Sequence, residues 1–418
     1  MSTIRPNFWE VSVTVVNGVN GRRSVARPAL IRAMNEQVML DHIRRAGPLS
    51  RADLARISGL SKPTVSLALA NIERAGLVRP AGHRTGVPGP AAILYEVRPE
   101  AGYVLGLDVG RQYIRGAIAD MTGAARARRS ARAKATNGQR LVEELISLSQ
   151  SLLKEVGVEQ SAITQTVIGS PGVYDPGRDA LALAGSLPGW ESPAVLAKLR
   201  KAFGAHLMVE NDIDVAAFAE RAHGHGREVD NFAFVSVGTG IGMGLVLGGR
   251  LHRGSHGAAG EIGYLPFSEG HGADVADARK RGSFEAAASA AAVVRAAKRA
   301  GVRNPTSAQK VFAAAADGDR QAAAVVAEEA LLVAKAICAV VTVVDPELVV
   351  LGGGIGQAPG FIDAVTEQLH ALAPVAPEVK VSALGSDAVV DGCLAAGLDQ
   401  AWELVTAAIP PPNADSAP

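Results

Sequence analysis

Ser50-Arg-Ala-Asp-Leu-Ala-Arg-Ile-Ser-Gly-Leu-Ser-Lys-Pro-Thr-Val-Ser-Leu-Ala-Leu-Ala-Asn-Ile-Glu-Arg-Ala-Gly-Leu-Val-Arg79 reads as a helix-turn-helix running into a wing. Ser50 is an N-cap, with Asp53 three residues on where a capping box usually carries Glu. Leu54 and Ile57 are expected to supply the buried side of a short helix. Gly59 supplies the positive φ for the turn after it. Ser61 caps the next helix, and Pro63 falls in its first turn, where a missing N–H costs little. Val65, Leu69 and Ile72 stand at i, i+4 and i+7 and share one buried face. That leaves Ser61, Lys62, Thr64 and Ser66 at the outward start of the second helix, where small polar groups approach base edges and phosphates of a major groove. Gly76 ends the helix. Leu77-Val78-Arg79 opens a strand that Ile93–Val97 can pair with, and His83 and Arg84 lie on the Gly/Pro-rich tip between them, as a wing requires.

Outward from this stretch, charge divides the chain. Residues 1–98 hold fourteen Lys/Arg against six Asp/Glu, while residues 99–418 hold 28 against 35. A net charge of +1 therefore conceals a basic front and an acidic body. The basic front suits a polyanion, double-stranded DNA, with affinity that falls as salt rises. Arg22, Arg23 and Arg27 form either an arm that follows a groove or a solvated N-terminus. Two cysteines, Cys338 and Cys393, exclude a disulfide framework and point to a reducing compartment. The start lacks the basic-then-apolar pattern of a signal peptide, so a cytoplasmic protein is expected. Ala330 to Val344 is apolar but short and carries Lys335, so it reads as a buried helix and no membrane partner is expected.

The body carries glycine loops beside carboxylates. Tyr103–Val109 and Tyr113–Ala119 are strand-like, with Asp108-Val-Gly110 at the turn between them. Ile168-Gly-Ser-Pro-Gly-Val-Tyr-Asp175 is a strand breaking into a loop. Val209-Glu-Asn-Asp-Ile-Asp214 puts Asn211 and Asp212 at a strand-to-helix junction, the usual site position in open α/β sheets. There Asp212 can take a proton from a hydroxyl, or the Asn-Asp pair can be a helix cap with Asp214 as rival. Phe234 to Leu251 reads as two strands around Gly238-Thr239-Gly240-Ile-Gly, a turn that brings N–H groups to phosphate oxygens. Glu261 follows in a Gly-flanked loop. Leu348-Val-Val-Leu-Gly-Gly353-Gly354-Ile-Gly356 is a buried strand entering a glycine loop.

Together these motifs resemble the ROK family, named for repressors, open reading frames and kinases, over about residues 28–405. The string Val237 to Gly263 carries the resemblance most specifically. It implies an α/β fold: an N-terminal winged helix-turn-helix followed by a two-lobed sugar kinase fold of the actin-like, ribonuclease-H-like type. The expected division is an arm at 1–27, the winged domain at 28–98, a smaller lobe at 99–210 with 395–408, a larger lobe at 211–394, and a disordered tail at 409–418. The resemblance further implies that Asn211, Asp212, Glu261 and Glu285 meet the sugar, with Asp212 at the kinases' base position and Tyr264 lining the same place. Asp108, Gly110, Gly238, Thr239, Gly240, Gly353 and Gly354 correspond to the nucleotide loops.

Three departures shape the expectation of function. Tyr264 stands where the family carries a sugar- and zinc-binding His. Residues 265–284 contain no cysteine and only His271, so the family's four-ligand zinc site lacks its donors and no metal is expected. Arg111-Gln112 replaces the Gly-Thr of the kinases' first phosphate loop. Binding survives such losses more readily than phosphoryl transfer. The expectation is a sugar-responsive, non-catalytic DNA-binding regulator, a repressor, without a cofactor. Its partners would be an inverted-repeat operator, a sugar or sugar-derivative effector, and further copies of itself as a homodimer or homotetramer. The alternatives are an ATP-dependent sugar kinase and a DNA-binding protein that has lost sugar sensing.

Overall fold

The computed structural model describes residues 28–84, 92–184, 187–267, 278 and 281–409. The expected arm, the tip of the wing beyond Arg84, His271 and the tail beyond Ile409 lie outside these residues.

The head begins with α1, Pro28–Ala46. Short β1, Leu49–Ser50, leads into α2, Arg51–Ser58. Both halves of the capping box form, with Asp53 serving as Glu usually does: its carboxylate accepts the Ser50 backbone N–H at 3.0 Å, and the Ser50 hydroxyl accepts the Asp53 N–H at 3.2 Å. Gly59 takes φ +72° and turns the chain. Ser61 caps α3, Lys62–Arg74, whose Val65, Leu69 and Ile72 are fully buried against Met39, Leu40 and Ile43 of α1. Asn71 donates to the buried Glu36 carboxylate at 2.7 Å, a polar tie between α1 and α3 inside this core. Strands β2 (Val78–His83) and β3 (Ile93–Val97) complete a three-stranded sheet in the order β1-β3-β2. Ile57 departs from expectation: it is 38% exposed, whereas Asp53 and Leu54 are buried. It lies in the last turn of an eight-residue helix, next to Gly59, where the chain already turns away from the core.

Beyond the head, one topology occurs twice. The first lobe orders β10-β7-β4-β5-β6, with β10, β7 and β4 parallel and β4, β5 and β6 antiparallel. These strands are β4 Tyr103–Val109, β5 Tyr113–Asp120, β6 Ala125–Arg132, β7 Ile163–Ser170 and β10 Leu207–Asn211, with β8 Val173–Asp175 and β9 Ala180–Ala182 forming a separate small hairpin. The second lobe orders β13-β12-β11-β14-β15 with the same pattern of directions. It runs β11 Phe232–Val237, β12 Ile241–Leu247, β13 Arg250–Leu251, β14 Leu348–Gly352 and β15 Glu378–Val381. The duplication left no repeat in the sequence because backbone pairing, not residue identity, was retained. Ala330–Val344 forms the more buried half of a long helix, Arg320–Val344, under the second sheet, with Val343 in its last turn 84% exposed. Among the described residues no helix is long and apolar enough to cross a membrane.

Helices α4, Gly138–Val156, and α5, Pro193–Phe203, pack on the first sheet, and two further helices join the lobes: α6, Asp212–His223, and the helix Ala388–Ala407. The latter crosses the expected division at 394/395 without a break. Glycines make its seat. A Cβ at Gly106 of β4 would lie 3.1 Å from the Cys393 Cβ, and one at Gly169 of β7 would lie 2.6 Å from a Val389 methyl. From the helix itself, a Cβ at Gly392 would overlap the Val215 carbonyl oxygen of α6. The far end of the same helix meets the head. Trp402 is 3% exposed, donates to the Met121 carbonyl at 3.2 Å and lies beneath the Arg44 guanidinium of α1, 4.9 Å from its ring centre. Arg44 also donates to Asp399 at 3.3 Å. Met39, Ile43, Leu54 and Leu69 of the head therefore share one continuous core with Val104, Met121, Leu394 and Trp402 of the body.

Candidate functional site

A cleft of about 410 Å³ opens between the lobes. It gathers every residue that the sequence assigned to ligand or nucleotide: Asn211, Asp212, Glu261, Tyr264 and Glu285 with Asp108, Gly110, Gly238, Thr239, Gly240, Gly353 and Gly354. Val389, at the start of the helix Ala388–Ala407, lines it too.

The strand-to-helix junction holds Asn211 and Asp212. Asn211 is the N-cap of α6: its Oδ1 accepts from the Ile213 and Asp214 N–H groups at 2.9 and 3.0 Å. Its Nδ2 donates to the Gly172 carbonyl at 2.8 Å, pinning the loop after β7. Both lone-pair directions of that oxygen are thus occupied, which leaves one amide hydrogen for a ligand. Asp214, the rival cap, is instead buried, and its Oδ1 has no hydrogen-bond partner among the described residues. Burial first, then the neighbouring Glu210 carboxylate, pushes the Asp214 carboxyl well above its ordinary range, against the opposing pull of Arg253. Arg253 meets both Glu210 oxygens, at 3.1 and 3.3 Å, and so anchors the chain segment leading to Glu261 onto β10.

Asp212 is pushed up to about 7, by burial first, then by the charge of Asp108. Its Oδ1 accepts the Ile213 N–H, at 2.9 Å, and this bond and one to its own backbone oppose the shift. Asp108 is raised to about 6 by burial, against Arg115, which donates to it at 2.9 Å. Glu261 is raised by burial and by Glu285. An ionised carboxylate held above its unfolded value costs folding free energy once it loses its proton. Asp212 therefore contributes stability that is full below about pH 4 and is lost as pH climbs through about 7. Asp212→Asn is expected to unfold at a higher temperature than the parent protein at pH 8 and to show a much smaller difference at pH 5. Thermal melts at the two pH values check this, and equal differences at both would contradict the shift.

The glycine loops divide their labour in a way the sequence did not disclose. Gly238 and Gly240 close a tight turn, with the Gly238 N–H donating to the Gly240 carbonyl at 3.0 Å. Gly353, at φ +76°, lets the second loop come against the Val237 carbonyl. Gly242 and Gly244 are seats for α6: a Cβ at Gly244 would lie 2.6 Å from the Ala217 Cβ. Glu285 accepts from the Ile241 N–H at 2.9 Å, placing a carboxylate against the turn that phosphates would use. Tyr264 is 44% exposed at the cleft rim, and burial together with Glu261 and Glu285 raises its phenol. Arg111, Arg115 and Arg281 also line the cleft. Arg115 stands directly across from Asp108 in the β4–β5 hairpin, a pairing that the short turn from Gly110 to Tyr113 already dictates.

The second surface is on the head. Lys62 and Ser66 are exposed on α3, and His83 is exposed on β2. Ser61 and Thr64 face the same end, but their hydroxyls are 2.8 Å apart and bonded to each other. Arg84 is committed inward: it donates to both oxygens of Asp53, drawing the wing onto α2 and holding that carboxyl far below its usual range, with Ser50 adding to the effect. Leu67 is 55% exposed on the same outward face of α3, which its apolar side chain does not announce in the sequence. It offers apolar contact of the kind a thymine methyl accepts.

Residues 104–396 match the ROK family, and residues 38–85 match the MarR family. The chain spans 59–62% of the length of the first curated relatives that it matches. It spans 96% of a xylose repressor from Caldicellulosiruptor bescii, 24% identical over 88% of this chain. Among solved structures, a ROK family transcriptional regulator, a homolog of the Escherichia coli MLC protein, superposes with TM-score 0.73 at 23% identity over 90% of this chain and 98% of its own. A ROK hexokinase from Thermus thermophilus superposes with TM-score 0.60 at 30% identity over 72% of this chain and 99% of its own.

Proposed function

The chain belongs to the ROK family, and from that membership we propose that it is a sugar-responsive transcriptional repressor whose kinase-like cleft binds its effector without turning it over. One observation carries the proposal. The helix Ala388–Ala407 lines the cleft at Val389 and packs on the DNA-reading head at Asp399 and Trp402. A ligand that prefers one lobe spacing thereby shifts the head, by no more than its difference in affinity for the two states. The head would read one half of an inverted repeat, so that two copies of the chain meet one operator from the cytoplasm. Asn211, Asp212, Glu261, Glu285 and Tyr264 supply the polar contacts to hydroxyls, while Lys62, Ser66 and His83 face DNA. Ser61 and Thr64 shape the start of the reading helix and Arg84 fixes the wing. No zinc is expected to hold the fold, since the donors of the family's site are missing from the sequence.

Catalysis is disfavoured on charge and space. Asp108 is already paired with Arg115, and Arg111-Gln112 occupies the first phosphate loop, whereas phosphoryl transfer depends on a cradled and neutralised phosphate. Asp212, in the base position with its carboxyl raised to about 7, favours the second reading, a sugar kinase. Operator titrations with and without sugars, run beside a coupled ADP-release assay, separate the two. The expected result is an operator affinity that changes with ligand, lower DNA affinity and a shallower salt slope in Lys62→Ala, and no ADP release. Turnover at roughly 1–100 per second, lost in Asp212→Asn, would make the protein an enzyme.

A further inference from the structure

The segment 252–260 belongs to the second lobe at both ends and to the first lobe in its middle. Its ends are tied to β12: the His252 N–H donates to the Leu245 carbonyl at 2.7 Å, and the Met243 N–H donates to the Gly260 carbonyl at 2.9 Å. Between these ties the Ala259 N–H donates to the Arg253 carbonyl at 3.0 Å and closes the segment into a loop. The loop then reaches the first lobe at two points. Arg253 donates to both Glu210 carboxylate oxygens on β10, at 3.1 and 3.3 Å. Gly257, at φ +72°, lies so close to β8 that a Cβ there would stand 2.6 Å from a Val173 methyl and 3.4 Å from the Tyr174 carbonyl oxygen. Glu261 is the residue after Gly260. It springs from the second lobe, yet the loop before it rests on the lobe whose strand β10 ends in Asn211.

We propose that Arg253 is a positioning residue for the effector: through Glu210 it holds the loop 252–260 on the first lobe and so sets Glu261 at a fixed place relative to Asn211 and Asp212. This rests on the sugar-binding reading above and adds to it a residue that touches no sugar. Among the described residues the cleft is lined by Arg111, Arg115 and Arg281 and not by Arg253, so Arg253 acts on a ligand only through other groups. Acceptors for neighbouring hydroxyls must be held to a fraction of an ångström by the residues behind them. A forked guanidinium on a carboxylate that is 14% exposed is a strong tie of this kind. The same cation restrains the acids beneath the cleft. Glu210, Glu261 and Asp212 push the Asp214 carboxyl up, and Arg253 pulls it down. Losing Arg253 therefore loosens the loop and leaves these carboxylates to repel one another where hydroxyls must approach.

Calorimetric titration of the full chain with glucose, N-acetylglucosamine and xylose tests this, beside hydrogen exchange of the ligand-free protein. Arg253→Met is expected to weaken the sugar that the parent protein binds by about tenfold. Arg253→Lys, which keeps one charged donor for Glu210, is expected to bring affinity back to within about threefold. Because Arg253 acts through Glu210, the double variant Arg253→Met/Glu210→Gln should bind no more than about twofold more weakly than Arg253→Met alone. In Arg253→Met the Ala259 and Met243 amides should exchange about tenfold faster. Gly257→Ala pushes the same loop off β8 without touching a charge. It should cost about 3–10-fold in sugar affinity, and it keeps the test sound if Arg253→Met folds poorly. Sugar bound within twofold of the parent protein by Arg253→Met or, where that variant does not fold, by Gly257→Ala overturns the inference and leaves sugar binding intact. So do losses from Arg253→Met and Glu210→Gln that simply add, or a Lys variant as weak as the Met variant. A parent protein that binds none of the sugars defeats the inference and the sugar-binding reading together.

Discussion

Gly392→Ala is expected to lower the unfolding temperature by roughly 3–5 °C. The added Cβ would overlap the Val215 carbonyl oxygen on α6, and backbone cannot yield as a flexible side chain can. The helix Ala388–Ala407 cannot back away to relieve the clash. On its adjoining faces Cys393 and Leu394 already press on Gly106, and Val389 presses on Gly169. Overpacking costs about 1–3 kcal/mol where neighbours can shift, and a helix pinned on two sides belongs at or beyond the upper end. Scanning fluorimetry of the variant, beside Ala396→Gly in the same helix as a comparison, measures the effect. A melt within a degree of the parent protein would show that α6 and the last helix sit further apart than described.

Trp402→Ala should cost about 3–5 kcal/mol, as expected for a large aromatic removed from a buried site. Its more informative consequence is on control. Trp402 is where the last helix, the Met121 carbonyl and Arg44 of the head come together. The proposed effect of ligand on DNA passes through that contact, so the variant should bind effector within about threefold of the parent protein while the ligand-induced change in operator affinity falls below about twofold. Linkage requires the reciprocal loss: operator should no longer alter effector affinity. Titrations of each ligand in the presence and absence of the other provide the comparison. Coupling that survives intact in a folded variant would place the path elsewhere.

What could be read from the sequence was what is local along the chain. Ser50 with Asp53, Gly59, Ser61 and the face formed by Val65, Leu69 and Ile72 are fixed by neighbours within seven residues, and the structure shows each as expected. The glycine loops and acids of the cleft were recognisable by motif, and they do share one cleft. Distant pairings were not legible. Nothing near Arg84 announces that it will turn inward to Asp53, 31 residues away, in place of facing outward from the wing. Nor do Gly242 and Gly244 show that they seat α6 while their neighbours Gly238 and Gly240 make the turn. The Asn211-Asp212 junction reads as a possible cap, but only the fold decides that Asn211 and not Asp214 takes the role.

The shared core of head and body bears on how such proteins can be recombined. A DNA-reading module that sits on a tether can be exchanged between regulators by cutting at the tether. Here a cut near residue 98 would leave Met39, Ile43 and Leu54 without Leu394 and Trp402, and would strand Arg44 away from Asp399. A transplanted head would need its docking face carried along from the last helix, 355 residues away in sequence at the Arg44–Asp399 contact. New operator specificity in this architecture is therefore reached most directly by changing the outward side chains of α3 in place, and chimeras joined at the first domain boundary should be sticky and poorly soluble.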